Sequence, residues 1–173
     1  MEKSLETHTL DALNIMTGFH EVDYERLKSI VLECESLKLS NNPLNTRFED
    51  SVLPQDPLVD EIVDKIKQSV FEISNLEINL DNMWTHIHDK NMSTQFHNHY
   101  PSDISAVYYL SSPEGSGALI LKSELNKYSP KQTSIKPKPG MFVIFPGFID
   151  HGVTRNMSSE KRISLSFNFS VVK

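Results

Sequence analysis

The sequence predicts a mainly β domain, a jelly-roll core of eight short strands braced by two N-terminal helices. Three observations carry that prediction. Residues beyond Asn82 fall into short alternating runs separated by turn signals, whereas two helical periodicities precede it. The run Arg162-Ile-Ser-Leu-Ser-Phe-Asn-Phe169 alternates strictly, so Arg162, Ser164, Ser166 and Asn168 share one face while Ile163, Leu165, Phe167 and Phe169 share the other. Met141-Phe-Val-Ile-Phe145 is apolar on both faces, as a central strand covered on both sides must be.

In chain order, Thr7 to Met16 is ambiguous and is read as a strand at a sheet edge. From Asp23 to about Leu39 the apolar residues recur at helical spacing, with Cys34 on the same side as Tyr24, Leu27, Ile30, Val31 and Leu37, so its burial is expected. Asn41-Asn42-Pro43 stops that helix, and Asn45 to Pro54 is irregular and polar. Asp56-Pro57, an N-cap acid followed by proline at the first helical position, opens a second helix that carries Leu58, Ile62, Val63, Ile66 and Val70. Strands are then predicted over Met83 to His88, Ser93 to His97, Ile104 to Ser111, Gly117 to Lys122, Gln132 to Lys136, Met141 to Phe145, His151 to Arg155 and Arg162 to Val171. Trp84 reads as core. The segment from Lys122 to Lys138 carries five lysines, one glutamate and Tyr128, a solvated edge that blunts strand pairing or, less favoured, a local phosphate-binding loop.

Composition bounds the function. A chain of 173 residues fits one domain, residues 1–81 supplying an N-terminal strand and helical support and residues 82–173 the core with the site. One cysteine excludes an internal disulfide framework and suits a reducing compartment. A net charge of -6 argues against wrapping a polyanion with the whole surface. No signal-like segment or bilayer-length apolar run occurs, so a cytoplasmic protein with no membrane partner is expected. Pro113-Glu-Gly-Ser-Gly117 is a turn without the dinucleotide fingerprint, and no phosphate-cradling lysine loop is present.

The chemistry points to His97-x-His99 and the later His151. Residues two apart on an extended segment point the same way and can close on one metal ion, and imidazoles suit iron, zinc, copper and nickel. Arg162 follows eleven residues after His151, at the head of a strand with one polar face. A buried strand carrying a cationic fork and hydroxyls suggests a lumen that holds an anion near a metal. Tyr109 faces the same side as Ser105 and Val107, while Tyr108 faces the other with Ala106 and Leu110. His86 and His88 are read as structural, with lining of the pocket mouth as the alternative.

Taken in order, Trp84, His97-x-His99, Ser105-Ala-Val-Tyr-Tyr-Leu110, Pro139-Gly140, Phe145-Pro146, His151 and Arg162-Ile-Ser-Leu-Ser-Phe-Asn168 resemble the Fe(II)- and 2-oxoglutarate-dependent oxygenases, in particular small bacterial and phage members of the prolyl-hydroxylase-like branch. The resemblance covers Trp84 to Phe169, about half the chain. It implies a double-stranded β-helix, or cupin-like jelly roll, with Fe(II) near the mouth, 2-oxoglutarate as co-substrate and molecular oxygen as oxidant. It also implies that Arg162, with Tyr109 and Ser164, receives the distal carboxylate of 2-oxoglutarate. The expected reaction is hydroxylation of a peptide, a small metabolite or, less favoured, a nucleic acid, with decarboxylation to succinate.

One departure matters: the family's carboxylate ligand position is occupied by His99. The metal set is therefore read as His97, His99 and His151, with Asp103 as the alternative carboxylate if the His99-Tyr-Pro-Ser-Asp103 segment turns inward. Two rival classes stay open, a three-histidine cupin-type metal protein without 2-oxoglutarate and a metal-free jelly-roll binding module. Oligomeric state stays open too, a homodimer included.

Overall fold

The computed structural model describes residues 6–10, 13–36, 56–123 and 131–172, with side chains at 14–33, 56–123 and 131–172. The irregular stretch Asn45 to Pro54, Tyr128 with most of the loop from Leu125 to Lys131, and the Cys34 side chain lie outside the described residues. Ten strands and two helices follow in the order β1 (Glu6–Leu10), β2 (Leu13–Phe19), α1 (Tyr24–Ser36), α2 (Pro57–Ser74), β3 (Ile78–His88), β4 (Thr94–His97), β5 (Ile104–Ser111), β6 (Leu119–Ser123), β7 (Lys131–Ile135), β8 (Met141–Pro146), β9 (Asp150–Val153) and β10 (Arg162–Val171).

The second helix begins for a local reason. At α2 the Asp56 side chain accepts from the Leu58 backbone N–H at 2.9 Å and Pro57 occupies the first turn, so the predicted cap forms. The helix ends on Asn75 in the left-handed region, φ 56°, whose N–H returns to the Phe71 carbonyl. In α1, Leu27 and Val31 lie on the apolar stripe and are fully buried.

The strands form a six-stranded antiparallel sheet, in the order β1-β2-β8-β5-β10-β3, and a four-stranded sheet, in the order β4-β9-β6-β7. The first segment is a hairpin of two strands, β1 and β2, and β1 takes the sheet edge. The lysine-bearing β7 is an edge of the smaller sheet, as the edge reading of that segment expects. The two faces of the larger sheet have separate duties. Outward, Ala106, Tyr108, Phe142, Ile144, Leu165 and Phe169 pack with Leu27, Val31, Ile62, Ile66 and Val70 of the helices. Inward, Val107, Tyr109, Val143 and Phe145 meet Leu119 and Leu121 of the smaller sheet. The result is a jelly roll whose larger sheet is braced by both helices, with a lumen between the sheets.

β3 begins five residues earlier than predicted, at Ile78 rather than Met83. Asp81 and Asn82 are poor strand formers, but their side chains serve the ladder. Asp81 accepts from Ser170 Oγ at 2.8 Å and Asn82 accepts from Asn168 Nδ2 at 3.1 Å, both across the β3–β10 pairing.

Candidate metal centre and anion pocket

The antiparallel register of β4 and β9 sets His97 opposite His151, with ring centroids 4.4 Å apart. His99 lies two residues beyond β4, and its backbone N–H donates to the Gly147 carbonyl at 2.8 Å. Glycine is required at that contact, because a Cβ on residue 147 would sit 2.1 Å from the Ser102 carbonyl oxygen. The three imidazoles offer one ligand atom each within 4.8 Å of one another.

The tautomers follow from what a carbonyl can do. His97 Nδ1 donates to the Gln95 carbonyl at 2.8 Å and His151 Nδ1 to the Ile149 carbonyl at 2.9 Å, so Nδ1 of each ring carries a proton and Nε2 is the atom left to ligate. His99 Nε2 stands 3.2 Å from His151 Nε2. Two ring nitrogens at that distance need a proton or a cation between them. Burial, and then the neighbouring His97, holds His99 at about 4, and burial brings His151 down to about 3 although its bond to the Ile149 carbonyl opposes that. Both are therefore uncharged at neutral pH, the state in which imidazole ligates a metal. This donor set fits a divalent transition ion.

At the other end of the cavity stands Arg162, the first residue of β10 and 1% exposed. Its Nη1 donates to His88 Nδ1 at 3.2 Å, and its guanidinium lies 5.2 Å from the ring centre of Tyr109. No carboxylate among the described residues pairs with it. Tyr109 Oη and Arg162 Nε are both buried without a hydrogen-bond partner, and the cation stands close enough to oppose burial at the phenol. Burial lowers the Arg162 pKa from its ordinary value and raises that of Tyr109. A buried guanidinium with an open donor beside an open hydroxyl has the chemistry to receive an anion. Ser164 lines the same cavity, about 440 Å³ including its open mouth, which also reaches all three clustered histidines.

Asp103 is not brought to the cluster. Its carboxylate accepts from the Val171 N–H at 2.8 Å and its backbone bonds to Phe169 and Gly147, so it fastens the end of β10. Asp150 accepts from Asn98 Nδ2 at 2.8 Å. His20 pairs with Glu61 at 2.9 Å, away from the cavity. Trp84 is buried as expected, but it forms cavity wall, with its Nε1 donating to His86 Nε2 at 2.7 Å and its ring centre 5.2 Å from that of His99. His86 and His88 line the cavity as well, the alternative to the structural reading. Thr94 completes the group, 2.9 Å from His88 Nε2. The signal in the sequence was parity: Trp84, His86 and His88 alternate on one face of β3, in register with β10.

A family model described as "Putative 2OG-Fe(II) oxygenase" matches residues 82–168, half of the chain. No curated protein matches the sequence. Among solved structures, the α-ketoglutarate-dependent carbocyclase SnoK of nogalamycin biosynthesis is similar with a TM-score of 0.71 at 10% identity, over 90% of this chain and 78% of that one. HygX from Streptomyces hygroscopicus, solved with nickel and 2-oxoglutarate, gives 0.67 at 14% identity over 92% and 83%. A Pseudomonas putida prolyl-4-hydroxylase gives 0.60 at 16% identity over 92% and 88%. At such identities the likeness is one of fold.

Proposed function

We propose a specific working of the site in this chain, which belongs to the 2-oxoglutarate- and Fe(II)-dependent oxygenase family. His97, His99 and His151 hold the ferrous ion, and Arg162, Tyr109 and Ser164 hold the distal carboxylate of 2-oxoglutarate. The single observation that carries this reading is the buried Arg162, unpaired with any described carboxylate, in the same cavity as three converging imidazoles. When bound, iron and 2-oxoglutarate supply the oxidising chemistry, in which dioxygen is consumed, the keto acid is decarboxylated to succinate and the prime substrate is hydroxylated.

The residues' own contributions follow from their surroundings. Three neutral donors leave the remaining positions of the ion open, which a co-substrate and oxygen both need. The planar guanidinium can give two charge-assisted bonds to one carboxylate, and Tyr109 Oη adds a third donor. Val107, Leu119, Phe145 and Val153 wall the cavity with hydrocarbon, which excludes water and strengthens those bonds. Relative to the family's two-histidine, one-carboxylate set, a third imidazole leaves the ion with more positive charge. Among the described residues no helix is long and apolar enough to cross a membrane, in keeping with a cytoplasmic enzyme.

An anaerobic titration tests the reading. A weak visible charge-transfer band should develop only with ferrous iron and 2-oxoglutarate together. Metal uptake without 2-oxoglutarate binding would instead identify a cupin-type metal protein, and binding of neither a metal-free module. His151→Ala should weaken iron binding at least about a hundredfold while thermal unfolding stays cooperative; unchanged iron affinity would remove His151 from the ligand set.

A further inference from the structure

We infer that His88 and Thr94 are positioning residues for the co-substrate, aiming the Arg162 guanidinium into the cavity and tying it to the strand that carries His97. The inference rests on the co-substrate reading of Arg162 given above. Guanidinium has donors only, so the 3.2 Å contact from Nη1 makes His88 Nδ1 an acceptor. The proton of the neutral ring is then on Nε2, which donates to Thr94 Oγ1 at 2.9 Å. Donation thus runs in one direction, from guanidinium to imidazole to hydroxyl.

The three residues come from three strands. Arg162 opens β10, His88 ends the neighbouring β3, and Thr94 opens β4 in the other sheet, three residues before His97. No backbone ladder among the described residues joins β3 to β4, so the side chains make this crossing. All three are shielded from water, at 1%, 1% and 9% exposure for His88, Arg162 and Thr94. Arginine has a long, flexible stem, and fixing one end of its fork beforehand reduces the rotamer entropy lost when a ligand arrives.

The residue type at position 88 suits this duty. A carboxylate there would neutralise the guanidinium and compete with the ligand's own carboxylate. A neutral imidazole takes one N–H and leaves the charge available. Burial, and then Arg162 itself, keep His88 neutral by lowering its pKa to about 4.

Calorimetry with 2-oxoglutarate, on protein loaded with nickel(II) as an inert stand-in for iron, tests the proposal. His88→Phe should raise the Kd for 2-oxoglutarate at least about tenfold, and Thr94→Val a few fold, with nickel affinity and melting temperature near wild type. His88→Asn, which keeps an acceptor near the Nδ1 position, should recover most of the loss. His88→Glu should bind more weakly than His88→Phe, because it cancels the charge as well as altering the geometry. Wild-type affinity in His88→Phe, or equal affinity in the Phe and Glu variants, would overturn the proposal. A wild type that binds no 2-oxoglutarate would overturn the underlying co-substrate reading instead. If His88→Phe does not fold, nitrogen-15 NMR of the wild type decides: the proposal requires the Nε2–H tautomer of His88, and an Nδ1–H ring contradicts it.

Discussion

The two faces of β10 are equally dry and chemically opposite. Ile163, Leu165, Phe167 and Phe169 are buried in the core shared with the helices, while on the other face Arg162, Ser164 and Ser166 line the cavity and Asn168 bonds Ser105 and Asn82, none of the eight more than 9% exposed. On the first face burial stabilises the fold through hydrocarbon removed from water. On the second it costs stability, because a guanidinium and hydroxyls leave water with few partners. Burial alone therefore does not separate core from site. The difference lies in what is buried and how it is paired, and on the lumen side Tyr109 Oη and Arg162 Nε are left without partners.

The largest expected effects test this contrast directly. Leu165→Ala should cost about 2–5 kcal/mol of unfolding free energy by urea titration, with the 2-oxoglutarate Kd of the folded fraction unchanged. Arg162→Gln should do the reverse, weakening 2-oxoglutarate roughly a hundredfold while the ligand-free protein loses no stability or gains about 1 kcal/mol. A marked loss of ligand-free stability in Arg162→Gln would mean that the guanidinium serves the fold, and the contrast would fail.

Acid should act on the lumen face first. His88 has a folded pKa near 4 and an ordinary value of 6.5, so between those values the unfolded chain takes up a proton that the folded chain refuses. Stability is full above about pH 6.5 and falls as pH drops toward 4, by on the order of 3 kcal/mol for this one residue. His88→Phe should flatten that part of the stability curve by one proton. An unchanged slope would place the His88 pKa near its ordinary value.

The smallest effects separate His99 from Asp103. His99→Asp should retain iron and shift the charge-transfer band, because a carboxylate gives the ion more negative charge than an imidazole. Asp103→Ala should leave the band in place and cost about 1 kcal/mol, the hydrogen bond to Val171. A band lost in Asp103→Ala would return Asp103 to the ligand set.

Much of this was legible in the chain because it depends on short-range pattern. The alternation of Arg162 to Phe169, the Asp56-Pro57 start and the His97-x-His99 spacing each state their consequence within a few residues. What stayed hidden depends on partners distant in sequence. The polar start of β3 shows no strand pattern until Asn168 and Ser170 are set against Asn82 and Asp81, 86 and 89 residues on. His88 looks structural until the β3–β10 register delivers it to Arg162, 74 residues on. Trp84 reads as core by its type, and only the register shows its face turned to the lumen.

The bonds from His97 to Gln95 and from His151 to Ile149 reach back two residues along the same chain segment. Such short loops close early and cheaply, so these two rings are aimed by their own strands and do not wait for the ion. An ion entering there would find both rings already aimed, and would have only to displace the proton held between His99 and His151 and to shed its own water. Uptake should accordingly follow a single exponential, with no later phase from protein rearrangement.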